Sequence, residues 1–160
     1  MSDGDCFFIP AGRIHAICSG CQICEIQQTS DTTYRIYDYD RLDKDGRPRE
    51  LHTEKAAESI DYTVHDDYRV RYTLRNNEPA NLITCPYFTT NVLKIDPFIE
   101  RDYTGLDSFV CLIGIEGEGT ITDGDSSYPF RQGELVLLPA SNNGAVRISG
   151  SLRALEVYIE

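Results

Sequence analysis

Gly4-Asp-Cys-Phe-Phe-Ile-Pro-Ala-Gly-Arg-Ile-His15 is the stretch whose reading decides the fold. It predicts a short buried strand over Cys6 to Ile9, a turn built on Pro10 and Gly12, and a histidine delivered at the start of the next strand. Pro10 fixes φ as the chain enters the turn, and Gly12 can take the positive φ that a tight turn demands. The pattern is Gly-x5-Pro-x-Gly-x2-His, and it returns near the far end as Gly133-ELVLL-Pro139-Ala140-Ser141-Asn142-Asn143. There Ser141 stands for Gly12 and Gly144 for His15, so the second copy keeps the signature without its imidazole.

Composition bounds what lies around these two copies. A chain of 160 residues can bury one good core, or one small barrel plus part of another. A net charge of −11 argues against a nucleic-acid partner, because no basic stripe is present to neutralise phosphates. A small anionic ligand needs only roughly two or three local guanidinium or ammonium donors and is compatible with that charge. No apolar run approaches the length of a membrane span and no basic segment precedes a hydrophobic one, so a soluble, cytoplasmic protein without a membrane partner is expected. Six cysteines include Cys18-x2-Cys21-x2-Cys24, but a second matching pair for a four-ligand metal site is absent. Cys18 and Cys21 read instead as flanking a Ser19–Gly20 turn, with reduced thiols.

Residues 1 to about 40 read as β-structure, with strand-like runs at Cys6–Pro10, Ile14–Cys18, Gln22–Gln28 and Thr32–Tyr39. A polar loop follows over Arg41–Glu50, then a short helix over Thr53–Ile60 with Thr53 as candidate N-cap. Asp43-Lys44-Asp45-Gly46 looks like part of a calcium loop, but Arg41 and His52 occupy its first and last ligand positions, which excludes it. From Asp61 onward, strands are predicted at Tyr68–Leu74, Val92–Ile95, Phe98–Tyr103, Phe109–Ile115, Thr120–Thr122, Leu135–Leu138 and Leu152–Ile159. Gly114, Gly117 and Gly119 read as a hairpin between two of them. Short strands at this spacing suggest a sandwich or barrel.

The Gly4–His15 pattern resembles the second signature of the cupin family of small β-barrels. The run ICEIQQTSDTTYRIYDYDR, Ile23 to Arg41, with ELHTEKA after it, resembles the type I mannose-6-phosphate isomerases, zinc cupins that interconvert mannose 6-phosphate and fructose 6-phosphate. The likeness is tight over the first third and looser to the end. It implies an all-β, cupin-like jelly-roll architecture: residues 1–60 as the C-terminal part of a catalytic cupin barrel, residues 61–160 as a degenerate cupin-like domain, and a short helix between. It also implies that the barrel's other metal ligands lie upstream of Gly4, since no His-x-His or Gln-x-His occurs here. The missing N-terminal part of the same enzyme is then the expected partner, and this chain alone is expected to be nearly inactive.

By the same resemblance His15 is a zinc ligand, although a lone histidine after a turn is more often structural. Arg35 matches the family's catalytic-site arginine, a fixed cationic fork suited to holding an enediolate. Strand alternation puts Glu25 and Gln27 on one face. Three-residue loops at Ser19–Cys21 and Thr29–Asp31 would set His15 and Arg35 opposite Glu25, whereas a two-residue Ser19–Gly20 turn would face Glu25 away from His15. The register that gathers them is preferred, with Glu25 as acid/base or supporting group and Gln27 and Arg41 toward the substrate. Read without the family, Glu25 and Arg35 are a cross-strand ion pair and Arg41 a solvated charge. The alternative function is a non-catalytic cupin module that binds sugar or serves as an interaction unit.

Overall fold

The computed structural model describes residues 1–30, 32–141 and 144–160; the Asp31 end of the Thr29–Asp31 loop and the Asn142–Asn143 end of the second signature lie outside them. Two compact units are present: Phe7–Tyr68, and Arg69–Glu160 together with Met1–Cys6. Among the described residues the regular structure is β-strand with one short helix, in keeping with the cupin-like expectation.

The larger unit is one antiparallel sheet, seven-stranded among the described residues: β1 (Pro79–Thr84), β2 (Thr89–Ile95), β3 (Phe98–Asp102), β4 (Val110–Asp123), β5 (Ser126–Arg131), β6 (Leu135–Leu138) and β7 (Ala145–Tyr158). Two 14-residue strands organise it. β4 and β7 pair along their whole length, from Val110↔Tyr158 to Asp123↔Val146. Shorter strands share their outer edges: β6 then β5 along β4, and β2 and β3 along opposite halves of β7. Alternating residues then meet in one core of Leu93, Ile95, Val110, Leu112, Ile121, Phe130, Val146, Ile148 and Ala154, all nearly inaccessible.

The predicted hairpin at Gly114–Gly119 is absent, because β4 runs straight through it. The glycines carry the strand past its neighbours instead. The ladder slips one residue between Gly114 and Glu116, a bulge, and Gly117 sits at φ +74°. A Cβ on Gly117 would stand 2.2 Å from the Ser151 carbonyl oxygen, so no other residue fits without moving β7. Glycines in a strand mark bulges as readily as turns, and only the partner strand tells them apart.

Glu156 is the one fully buried acid of the sheet among the described residues. Arg101 donates from Nε to its Oε1 at 2.7 Å and from an Nη to its Oε2 at 3.1 Å. The Tyr103 hydroxyl donates to Oε1 at 2.6 Å, and Asn91 Nδ2 to Oε2 at 2.7 Å. One cation and two neutral donors thus meet one carboxylate, which is the condition for burying a charge at all. No helix among the described residues is long and apolar enough to cross a membrane.

The Phe7–Tyr68 unit is built differently. Among the described residues none of the four strand-like runs before Arg41 forms a strand, and the helix α1 (Thr53–Ser59) is the unit's only regular element. A strand needs a paired edge and a covered face. Here Phe7, Phe8, Ile9, Ile14, Ile17 and Ile23 all stand exposed, and no ladder joins their segments. The N-cap of α1 is His52 rather than Thr53, and its side chain makes no cap bond. The His52 ring is engaged elsewhere: Nδ1 accepts the Arg35 amide at 3.2 Å.

Candidate active site

The opening motif folds as a turn seated on the helix end. The Arg13 amide donates to Pro10 O at 3.2 Å, and the Asp61 amide to Gly12 O at 3.0 Å. Gly12 has φ +86°, and a Cβ there would lie 2.6 Å from the Ser59 carbonyl oxygen. Both the conformation and the close approach require glycine. Arg13 ties the turn down, pairing with Asp61 at 3.5 Å beneath the Tyr68 ring.

His15 emerges from this turn exposed, with Nδ1 3.0 Å from Arg13 O. A carbonyl can only accept, so that contact makes Nδ1–H the donor, and in the neutral ring Nε2 then carries the lone pair. Glu25 and Gln27 are exposed, as are Cys18, Cys21 and Cys24. The Cys21 thiol donates to Cys18 O at 3.1 Å across the Ser19–Gly20 turn. Among the described residues no ladder sets a register there, and no hydrogen bond or ion pair joins His15, Glu25 and Arg35. Among the described residues no group of three or more His, Cys, Asp or Glu side chains is placed to hold a metal ion.

Arg35 and Arg41 are brought together, by a residue that the sequence pattern does not single out. Asp38 is buried at 7% exposure, and three guanidiniums converge on it. Arg41 donates from an Nη to Asp38 Oδ1 at 2.6 Å. Arg49 forks onto the same carboxylate, from Nε to Oδ2 and from an Nη to Oδ1. Arg35 stands behind them, its Nε 3.8 Å from Oδ1 and its Nη1 donating to Glu50 O at 3.3 Å. The Arg49 hydrogen bond holds the Asp38 carboxyl well below the usual carboxylate range; burial opposes this and Arg41 adds to it. A small pocket of about 70 Å³ opens beside the cluster, walled by Asp38, Arg41 and Arg49 with Tyr37, Asp40, Pro48 and Leu51.

The intervening loop is local in its bonding. Asp43 Oδ1 accepts the amides of Asp45 at 2.8 Å and Arg47 at 2.9 Å, and a bridge pairs Leu42 with Pro48. That closure returns Arg49 to Asp38. The signal for Asp38 in the sequence is Asp-x2-Arg within YDYDR, but a loop residue's partner some ten positions on is invisible to spacing.

A family model described as "Mannose-6-phosphate isomerase, cupin domain" matches residues 78–159. The chain belongs to the mannose-6-phosphate isomerase cupin-domain family. Within that family, the mannose-6-phosphate isomerase ManA of Bacillus subtilis (strain 168) is 38% identical over 144 residues, covering 87% of this chain and 44% of its own length. This isomerase-family chain therefore spans less than half the length of the curated relative it matches. The crystal structure of the Bacillus subtilis mannose 6-phosphate isomerase superposes with a TM-score of 0.69 at 31% identity, over 81% of this chain and 41% of that one. The isomerase of Salmonella typhimurium, solved bound to its substrate and a zinc atom, shares the fold with a TM-score of 0.59 at 14% identity, over 71% of this chain and 29% of its own.

Proposed function

We propose that this chain works as part of a cytoplasmic aldose–ketose isomerase that interconverts mannose 6-phosphate and fructose 6-phosphate. In this reading residues 1–60 contribute to the catalytic barrel and residues 61–160 are a degenerate cupin-like domain that supports it. The observation that carries it is the 38% identity to the Bacillus subtilis isomerase across 87% of the chain, which reaches beyond the sheet into the Phe7–Tyr68 unit.

The reaction moves a proton between C2 and C1 of the open-chain sugar through an enediol. A base takes the proton from one carbon and returns it to the other, the hydroxyl proton passes between O2 and O1, and negative charge gathers on those oxygens on the way. Arg35 suits that charge: its guanidinium is steadied at Nε by Asp38 and at Nη1 by Glu50 O, so a fixed cation needs no reorganisation as charge develops. Glu25 is assigned the acid/base or supporting role, and Gln27 and Arg41 contact the substrate, Arg41 at its phosphate. His15 offers zinc a single ligand through Nε2. The described residues gather no three-ligand set and so do not by themselves fit a zinc site, and the steps above run through none.

A chimera tests the proposal, with this chain replacing the matching segment of the Bacillus subtilis enzyme. The zinc-loaded chimera is expected to interconvert the two sugar phosphates, the isolated chain to show no turnover, and His15→Ala in the chimera to abolish it. A folded chimera without turnover, or one indifferent to His15→Ala, overturns the assignment and leaves a non-catalytic cupin module.

A further inference from the structure

Three arginines on one aspartate are more than that aspartate needs. A carboxylate is neutralised by one guanidinium, and the bidentate fork from Arg49 already uses both oxygens of Asp38. Arg41 and Arg35 add two further positive charges within the same few ångströms. Like charges held together repel unless an anion compensates them. The exposed Asp40 offsets part of the excess at the pocket wall and leaves it positive. This local excess stands in a chain whose net charge is −11.

The three arginines also differ in what they present. Arg35 is the most covered, its side chain 24% exposed. Arg41 is 63% exposed and Arg49 36%, and both line the small pocket. Each spends only part of its fork on Asp38, so each keeps N–H groups directed away from it. Two guanidiniums side by side, anchored through a shared buried acid, match the size and charge of a phosphate monoester dianion.

We propose that Arg41 and Arg49, set in place by Asp38, form a phosphate-monoester binding site in the Phe7–Tyr68 unit, with Arg49 a binding residue and Asp38 a positioning residue. The site deepens the isomerase reading and rests on it for the ligand's sugar. Arg49, not Arg41 alone, then determines that the substrate carries a phosphate. Pro48 and Leu51 give the same pocket apolar lining.

Isothermal titration of the full chain with mannose 6-phosphate, inorganic phosphate and mannose tests this without zinc or turnover. Mannose 6-phosphate should bind saturably, inorganic phosphate should compete with it, and mannose should not bind. Arg49→Gln and Arg41→Gln should each weaken binding by about tenfold, the scale of one lost charge-assisted hydrogen bond, while Arg147→Gln on β7 should change nothing. Arg49→Lys keeps the charge, so the unit retains its fold if Arg49→Gln does not, and it should bind more weakly than the parent. Absence of saturable binding, or affinity unmoved by Arg49→Gln and Arg49→Lys, overturns the site. Because an active chimera can coexist with failed phosphate binding here, and the reverse, the two readings fail separately.

Discussion

The two units each bury a carboxylate against arginine, and they do so to opposite ends. In the sheet, Glu156 has no exposure and meets Arg101, Tyr103 and Asn91, so one charge is balanced and every oxygen is satisfied. In the Phe7–Tyr68 unit, Asp38 meets Arg35, Arg41 and Arg49, so positive charge is left over and faces solvent. A balanced cluster can be closed over and becomes part of the core. An overbalanced one needs a further anion to be complete. The first arrangement makes a scaffold and the second a receptor for charge, although both begin with an acid and an arginine.

The contrast breaks most severely when the balanced cluster loses its cation. Arg101→Met should leave the Glu156 carboxylate uncompensated in the interior and cost about 3–5 kcal/mol, read as a lowered midpoint in urea. A loss below about 1 kcal/mol would mean that water reaches Glu156. Gly117→Ala should come next, at about 2–3 kcal/mol in the same assay, because it adds a Cβ against the Ser151 carbonyl at a positive φ. Unchanged stability would show that β7 yields there.

Tyr103→Phe is smaller and has a pH signature. Burial first, then the Glu156 charge, pushes the Tyr103 phenol far above its ordinary value. A group whose folded pKa is raised lends stability that is complete below its unfolded pKa of about 10 and is lost as pH rises beyond it. Stability of the parent should fall above about pH 10 by about 1.4 kcal/mol per pH unit for this one proton, and Tyr103→Phe should remove that share of the slope. At neutral pH the variant should lose about 1–2 kcal/mol for the missing hydrogen bond. Asp38 works in the other direction. Its lowered pKa lends stability that is present above the ordinary aspartate value of about 4 and lost as pH falls below it, and Asp38→Asn should flatten the acid limb when followed by tyrosine fluorescence.

Much of the sheet is legible in the sequence because its residues obey a period of two. Leu135–Leu138 reads at its observed bounds, and the Val92–Ile95 and Phe98–Tyr103 readings fall on β2 and β3. The start of β7 at Ala145 is not legible, since Gly150 and its polar neighbours mask a strand that only its long pairing with β4 sustains. Gly114, Gly117 and Gly119 mislead for the same reason, because a bulge and a turn share a composition. The Phe7–Tyr68 unit shows the reverse case. Its residues prefer strands, but preference without a paired edge yields none. Gly12 reads correctly as a turn glycine, while the approach of Ser59 that also demands it is not visible in the chain. Arg35 stands out by resemblance and Arg41 by its place in the loop that follows, while Arg49 and Asp38 need the loop closure that returns one to the other.

The most direct measurement is kcat in the chimera carrying Arg35→Lys, set beside Arg101→Lys in the sheet. A lysine keeps the charge and loses the planar fork. The account predicts a fall in kcat of about 100-fold for Arg35→Lys, the scale of losing one oriented donor to a developing oxyanion, and little change in kcat for Arg101→Lys in folded protein. An undiminished kcat in Arg35→Lys would contradict it.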